Sequence, residues 1–491
     1  MPQKKAIIIG GGIAGLCTGV YLQKNGFETT ILEKNSVPGG LATGWTRQGY
    51  TFENCVHWLV GSKEGADLNG MWKEVFDIRK LEFFDDKIYQ VLEKGPDQIT
   101  IYKDPDRLER ELLEKAPEDS AAIREFARVV RKLAGFKMSG GDSALSRLAA
   151  KASILPVLPV FARYGKRTMK DWAAKYKNPL LREFFGSGLE EMLFLAIAFS
   201  LAWMSTGNAG YPIGGTLRMI GLIADRFREL GGTLRCNAGV ERILVENDRA
   251  VGVELAGGEK VAADIVVSAA DGHATLFDML GGRYLSEKYK KAFETYVLFP
   301  SYVQVSLGVG ADLREEPGFL LRMLDKPLEI DPGTRTESLS YRVFHYDPTF
   351  APPGKTAAVV FLGTYNDGYW RSLWEKDRSK YESEKKRVAA SVIAEFTKRF
   401  PAAQDKIEVV DVATPATVVR YTSNWRGSME GWLITPATGM RGLPSTLPGL
   451  ASFYMAGQWT HPGGGLPTGL MTGRDVSKLI CRDNRMPWRA N

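Results

Sequence analysis

The chain has 491 residues, of which 44% are hydrophobic, 25% charged and 11% aromatic, a globular profile that excludes collagen-like, coiled-coil and largely disordered architectures. At about 100 to 200 residues per domain, the length accommodates roughly two to four structural units, so a cofactor unit and a substrate unit can coexist. The 64 basic and 57 acidic side chains leave a net charge of +7, which raises nucleic acid, an anionic membrane surface and an acidic ligand as partners.

In chain order, Ala6 to Ile9 is a short continuous apolar run with the character of a buried parallel strand. Gly10-Gly11-Gly12-Ile13-Ala14-Gly15 comes next. A helical stretch from Leu16 to Asn25 is then stopped by Gly26, and a second strand from Glu28 to Leu32 ends at Glu33. These pieces make one complete βαβ unit. Residues 106 to 208 read as mostly helical, with apolar periodicity over Leu108 to Leu113 and Ile123 to Leu133, and hence as a separate helical insertion. From Tyr211-Pro-Ile-Gly-Gly215 the chain enters a helix, Leu217 to Leu230, whose Leu217, Ile220, Ala224 and Phe227 share a face. Strands are expected at Val240 to Glu246, Ala250 to Leu255 and Ile265 to Ala269, with turn signals at Asn247-Asp248 and Gly257-Gly258. Residues 296 to 365 are strand-rich, and a charged helix runs from Lys380 to Arg399. The last unit is a strand, Ser452 to Ala456, a Gly/Pro-rich turn, and a helix from Gly469 to Cys481.

Gly10-x-Gly12-x-x-Gly15 lies between an apolar strand and a helix, with the acidic Glu33 beyond it, which is the context that makes this motif a dinucleotide site. Gly10 permits the tight turn, Gly12 lets the backbone approach a pyrophosphate, and Gly15 allows the helix to pack closely on the strand. Glu33 accepts from ribose hydroxyls and repels a 2′-phosphate, which disfavours NADP. FAD is favoured over NAD by Pro38-Gly39-Gly40 shortly afterwards and by the C-terminal run Phe453 to Gly469, rich in glycine and leading into a helix. No second dinucleotide fingerprint is evident, and the external electron donor or acceptor is left open.

Ile7 to Gly40, Tyr211 to Asp271 and Gly457 to Arg474 together resemble the phytoene desaturase, carotenoid isomerase and retinol saturase group of flavoproteins, within the amine-oxidase-like superfamily. The resemblance implies an α/β fold, with a Rossmann-type FAD-binding domain, a mixed-sheet substrate domain and a helical lid insertion. It divides the chain into FAD-binding parts at 1–75, 209–290 and 440–491, substrate parts at 76–105 and 291–439, and a lid at 106–208. It also implies cofactor contacts from Gly10, Gly12, Ile13, Ala14, Gly15, Glu33, Lys34, Gly39, Gly40, Leu41, Val240, Gly457 and Gln458. At the start of the final helix, Gly469, Leu470 and Met471 are expected to point N–H groups at the flavin pyrimidine edge, where negative charge gathers on reduction. Leu41 stands where the family often has arginine or serine, so a polar phosphate contact is absent. Where an Asp-x-Gly stretch is common, this chain reads Phe52-Glu53-Asn54-Cys55-Val56-His57-Trp58. His57 is the candidate catalytic acid or base near the flavin and Trp58 a stacking surface for substrate, the alternative being a hydrogen-bonded histidine that only orders its loop. His461 belongs to a loop that serves backbone geometry.

The family implies an apolar polyene or isoprenoid substrate, with desaturation, saturation and isomerisation all open. Phe184, Phe185, Trp203 and Met192 to Met204 are candidate tunnel walls or, alternatively, ordinary core. That apolar run of 13 residues covers roughly 20 Å and cannot cross a hydrocarbon core of about 30 Å. Arg147 to Lys170 carries six basic and no acidic side chains around Ile154 to Phe161, the pattern of a segment that docks on an anionic membrane; its apolar centre argues against nucleic acid. Cys17, Cys55, Cys236 and Cys481 are scattered singly, which argues against disulfides and a metal site, and Met1 to Lys5 lacks the parts of a signal peptide. A cytoplasmic, peripherally membrane-bound enzyme is the expectation. The competing readings are a flavin amine oxidase acting on a soluble amine and a non-catalytic flavin- or lipid-binding protein.

Overall fold

The computed structural model describes residues 3–136, 152–186 and 188–490. Ala6, Ile7, Ile8 and Ile9 are all buried, so the strand Lys5–Ile9 needs cover on both faces and takes the middle of a five-stranded parallel sheet. In sheet order the strands are Thr233–Arg235, Glu28–Leu32, Lys5–Ile9, Ile265–Ser268 and Phe453–Met455. Ile8 pairs with Ile31 on one side and Val267 on the other, and Val267 pairs in turn with Tyr454. One layer thereby gathers the beginning, middle and end of the chain.

Two helices, Ile13–Lys24 and Gly465–Asp483, cross in contact because glycines remove the side chains between them. A methyl group at Gly469 would sit 2.4 Å from Ile13 Cγ2, and one at Gly473 would sit 3.1 Å from the Ala14 carbonyl oxygen. The final helix therefore starts one turn earlier than the expected Gly469. Gly464 and Gly465 are both in positive-φ conformations, at 51° and 81°, and this bend launches the helix directly from the loop. A second correction concerns Gly215–Glu229, whose buried stripe is Met219, Ile220, Ile223, Ala224 and Phe227. Leu217, expected on that face, is 40% exposed because it stands in the first turn over Gly44.

A seven-stranded mixed sheet forms the second layer, in the order Ile407–Ala413, Ser301–Val309, Thr356–Thr364, Thr334–Val343, Phe319–Asp331, Ile88–Lys94 and Asp97–Tyr102. Its two faces alternate along each strand. Ala358, Val360 and Leu362, with Val303, Val305, Leu339 and Tyr341, pack against Val388, Val392 and Phe396 of the helix Arg378–Arg399. Ala357, Val359 and Phe361 point the other way, into the core shared with the first layer.

Between residues 105 and 205 the described elements are helical apart from turns, from Pro105–Lys115 to Leu195–Ser205. Their core is aromatic: Trp172 stacks on Phe194 at 3.7 Å between ring centroids, and Phe126 meets Phe185 edge-on at 5.0 Å. Leu195, Ala198, Leu201 and Ala202 are buried in it, so the apolar run is mainly core. Trp203 reaches both this core and that of the first layer. Among the described residues no helix is long and apolar enough to cross a membrane, and all four cysteines are free thiols. Arg147 and Lys151 of the basic segment lie outside the described residues.

Candidate functional site

The N-termini of the two crossing helices open on one cleft at the carboxyl ends of the parallel strands, where ligands of open α/β sheets sit. The cleft encloses about 1060 Å³ of space between atoms, its open mouth included. Gly15 is required by packing: a methyl there would lie 2.0 Å from the Gly10 carbonyl oxygen. Gly12 is required by the cleft, since a methyl at that position meets only Gly39 O at 3.7 Å and otherwise projects into free space. The Gly39 N–H donates to Gly11 O at 2.9 Å, which ties the second glycine turn to the first.

Glu33 is 4% exposed and joins the same structure. Its Oε2 accepts from the Gly11 N–H at 2.8 Å, and its Oε1 accepts from the Asn35 backbone N–H and side-chain amide, each at 2.8 Å. Beside it, Lys34 donates to Arg420 O at 2.9 Å and Ser423 Oγ at 2.8 Å. Gly10, Gly12, Ile13, Ala14, Glu33, Lys34, Gly39, Gly40, Leu41, Val240, Gly457, Gln458 and Gly469 all line the cleft. Leu470 and Met471 do not: lying inside the helix rather than at its start, they spend their N–H groups on its own hydrogen bonds, and Leu470 is fully buried. The helix's unspent N–H groups belong to its first turn, from Gly465 onward.

The loop that carries His57 and Trp58 is held by Glu53. This carboxylate is 1% exposed; Oε1 accepts from the N–H groups of Asn54, Cys55 and Val56 at 2.8–3.1 Å and from Thr216 Oγ1 at 2.6 Å. Its Oε2 accepts from the Thr216 N–H at 2.8 Å, at the N-terminus of Gly215–Glu229. Burial pushes the pKa of Glu53 up and these donors push it back. A side chain at Gly215 would collide with Glu53 Oε2 at 2.2 Å, which explains the glycine at that position.

Beyond this loop a cluster of aromatic rings, which we term the aromatic chamber, lies under the inner face of the seven-stranded sheet. Leu41, which lines the cleft, accepts from Asn54 Nδ2, and Asn54 Oδ1 accepts from the Tyr302 hydroxyl at 2.5 Å. Phe361 meets Tyr302 at 5.3 Å and His57 at 5.7 Å. Trp58 stands next to His57 and meets Tyr89 edge-on at 5.9 Å, and Tyr89 reaches Phe319 and Phe184. His57 is half-buried, its buried Nδ1 has no hydrogen-bond partner among the described residues, and desolvation together with the Arg342 guanidinium holds its pKa well below the ordinary histidine value.

A family model described as flavin-containing amine oxidoreductase matches residues 13–481. The chain belongs to this family. It is 25% identical to the chloroplastic prolycopene isomerase of Daucus carota, over 97% of this chain and 80% of that protein. It is 24% identical to a lycopene-forming phytoene desaturase of a Paracoccus species, over 98% of each. Among solved structures, the cyclohexylamine oxidase of Brevibacterium oxydans superposes with a TM-score of 0.59 at 15% identity, covering 99% of this chain and 100% of that one.

This flavin-containing amine oxidoreductase is an FAD-dependent enzyme, and the cleft fits the cofactor. Two helix N-termini face it for the pyrophosphate, Gly12 leaves the phosphate path clear with Gly39 and Gly40 on the same wall, and Glu33 stands at the end of the second strand for the ribose. Motif reading missed six polar residues of its wall, Asn35, Asp271, Tyr421, Thr422, Ser423 and Asn424. Asp271 follows the strand Ile265–Ser268, and that position at a carboxyl end is the local signal for it. Its oxygens accept from the Ala274 and Trp425 N–H groups, and burial pushes its carboxyl up to about 7.

Glu430 had no sequence signal at all. The segment around it pairs across to Phe299 and Leu298, and its Cβ packs against the Gly464 turn that launches the final helix. Among the described residues its carboxyl has no hydrogen-bond or ion-pair partner, it is near enough to Cys55 to raise that thiol's pKa, and burial pushes its own up to about 7.

Proposed function

We propose that this enzyme desaturates, saturates or isomerises carbon–carbon double bonds of a long apolar polyene or isoprenoid. The observation that carries the reading is the chamber of Trp58, Tyr89, Phe184, Phe319 and Phe361, a continuous aromatic wall leading from the cofactor cleft towards the helical unit. The names of the carotenoid-processing relatives support the same substrate class. Cofactor contacts come from the residues that line the cleft. Bound FAD supplies hydride-transfer chemistry. Aromatic faces hold and orient the conjugated chain and exclude water from it. Glu430, poised near neutrality beside the final helix's first turn, takes the proton that a desaturation releases or returns one in the opposite direction. His57 stays neutral and shapes the chamber. An amine substrate fits less well, because its cation would meet the Arg342 guanidinium near Trp58.

Docking at a membrane surface belongs to this reading, since an apolar substrate partitions there. Leu155 is 67% exposed and Leu158 49%, while Val157 and Val160 root the same segment in the helical core. The basic contribution is smaller than the sequence suggests: Arg163 pairs with Glu125 at 3.1 Å and Lys170 with Glu190 at 3.9 Å, leaving Lys166 and Arg167 without an ion pair among the described residues. Anaerobic mixing of oxidised and reduced holoenzyme with a panel of polyenes and amines, followed by absorbance, tests the function. Polyene-dependent flavin bleaching or reoxidation, or conversion between isomers, is the expected result; a response to amines alone refutes it.

A further inference from the structure

Arg342 lies on the strand Thr334–Val343, in register between Phe319 and Val359. Its chain neighbours Tyr341 and Val343 are buried in the outer core, so strand alternation turns Arg342 inward to the aromatic chamber. There it is 9% exposed, with the guanidinium carbon 3.3 Å from the centre of the Phe319 ring and 5.9 Å from that of Trp58. Among the described residues the guanidinium has no hydrogen bond and no ion pair. The titratable groups that interact with it are His57 and the phenols of Tyr89, Tyr346 and Tyr211, and no carboxylate is among them. An arginine keeps its proton when buried, and its five N–H donors are not satisfied by a ring face. A buried cation without a counter-ion is costly to the fold, and contact with Phe319 offsets only part of that cost. The structure thus holds a preformed cation with no carboxylate partner among the described residues, inside a site lined mainly by aromatic rings.

We propose that Arg342 receives a carboxylate at one end of the substrate, so that the enzyme acts on an acid-terminated polyene or isoprenoid rather than on a pure hydrocarbon. The inference rests on the polyene reading of the chamber given above. One planar fork matches one carboxylate through two parallel bonds. An isoprenyl diphosphate carries more charge than a single cation balances, and the histidines beside the chamber, His57 and His345, are held below the ordinary histidine pKa by burial. The apolar chain of such an acid lies along Trp58, Tyr89 and Phe319, and its charge compensates the guanidinium.

The test titrates the holoenzyme with all-trans-retinoic acid, its methyl ester and geranylgeranyl diphosphate, read by tryptophan fluorescence and flavin absorbance. The acid should bind roughly 10- to 100-fold more tightly than the ester, as a charge-assisted pair in a dry site requires. Arg342→Met should lose that preference while keeping its affinity for the ester and its flavin spectrum, and should melt no lower than the wild type, since it removes an uncompensated charge. Arg342→Lys, which retains the charge without the fork, should keep part of the preference, and it carries the test if the methionine variant does not fold. Equal binding of acid and ester by the wild type, or tighter binding of the diphosphate, overturns the carboxylate assignment and leaves the polyene reading standing. An acid preference that survives in Arg342→Met overturns the role of this residue. If none of the three probes binds to flavin-loaded protein, both readings fall.

Discussion

Replacing Glu430 with glutamine changes how stability depends on pH, by an amount that its burial dictates. Burial raises the carboxyl from the ordinary 4.5 to about 7, with no paired cation among the described residues to oppose it. The folded protein therefore holds this proton more tightly than the unfolded chain does. The stability so contributed is fully present below about pH 4.5, the unfolded value, and is lost as pH rises through about 7. A rise from 4.5 to about 7 is about 2.5 pH units, worth up to about 3 kcal/mol at 1.36 kcal/mol per unit. Glutamine has nearly the shape of the protonated acid and does not titrate. Glu430→Gln should thus match the wild type near pH 4.5 and exceed its stability by up to about 3 kcal/mol near pH 8.5. Urea denaturation at several pH values, with FAD saturating throughout so that cofactor linkage is common to both proteins, measures the difference. A gap that stays constant with pH refutes the desolvation argument, as does a wild-type advantage at high pH, which would show an ionised and well-partnered carboxylate.

If Glu430 exchanges the reaction's proton, the pH profile of turnover should break near 7, and the break should vanish in Glu430→Gln; His57→Gln should leave it in place, because His57 is already neutral across that range. Gly15→Ala places a methyl 2.0 Å from Gly10 O and must separate the first helix from the glycine turn, so the purified variant should lose FAD on gel filtration; full flavin content would contradict the packing argument. Arg474 grips Glu74 through Nε at 2.6 Å and a second nitrogen at 3.0 Å, with both side chains largely buried and Tyr21 donating to the same carboxylate. Glu74→Leu removes these charge-assisted bonds from a largely buried site and should cost about 1–3 kcal/mol in denaturant unfolding. Changing both Leu155 and Leu158 to serine removes their exposed apolar surface, worth about 2 kcal/mol on transfer to a bilayer interface, and should weaken liposome binding by roughly 30-fold; unchanged flotation would remove the membrane claim.

The elements that the sequence determines by itself are those whose cause is local. Glu28–Leu32 and Val240–Glu246 form where β-branched and alternating residues predict them, and Asn247 and Asp248, with φ of 46° and 57°, make the tight hairpin turn that their short polar side chains tolerate. The glycine loop, Glu33 and most of the cleft's lining are equally legible, because a strand, a turn and a helix within one βαβ unit carry all the necessary geometry. The final helix's start is not locally encoded, because the bend at Gly464 and Gly465 depends on what Glu430 and the first helix leave room for. Charge is even less legible in the chain: the basic run at 163–170 is half neutralised by Glu125 and Glu190, residues that only folding brings to it. Glu430 and Arg342 show the limit most clearly, since any sequence contains ordinary glutamates and arginines. Alternation places Arg342 on one face of its strand, but only the packing of two layers and a helical unit decides that this face meets aromatic rings and, among the described residues, no counter-ion. Dihedral preference and periodicity act over a few residues and so are written in the chain, whereas desolvation and pairing depend on which distant groups cover a side chain, and these were decided by the tertiary structure.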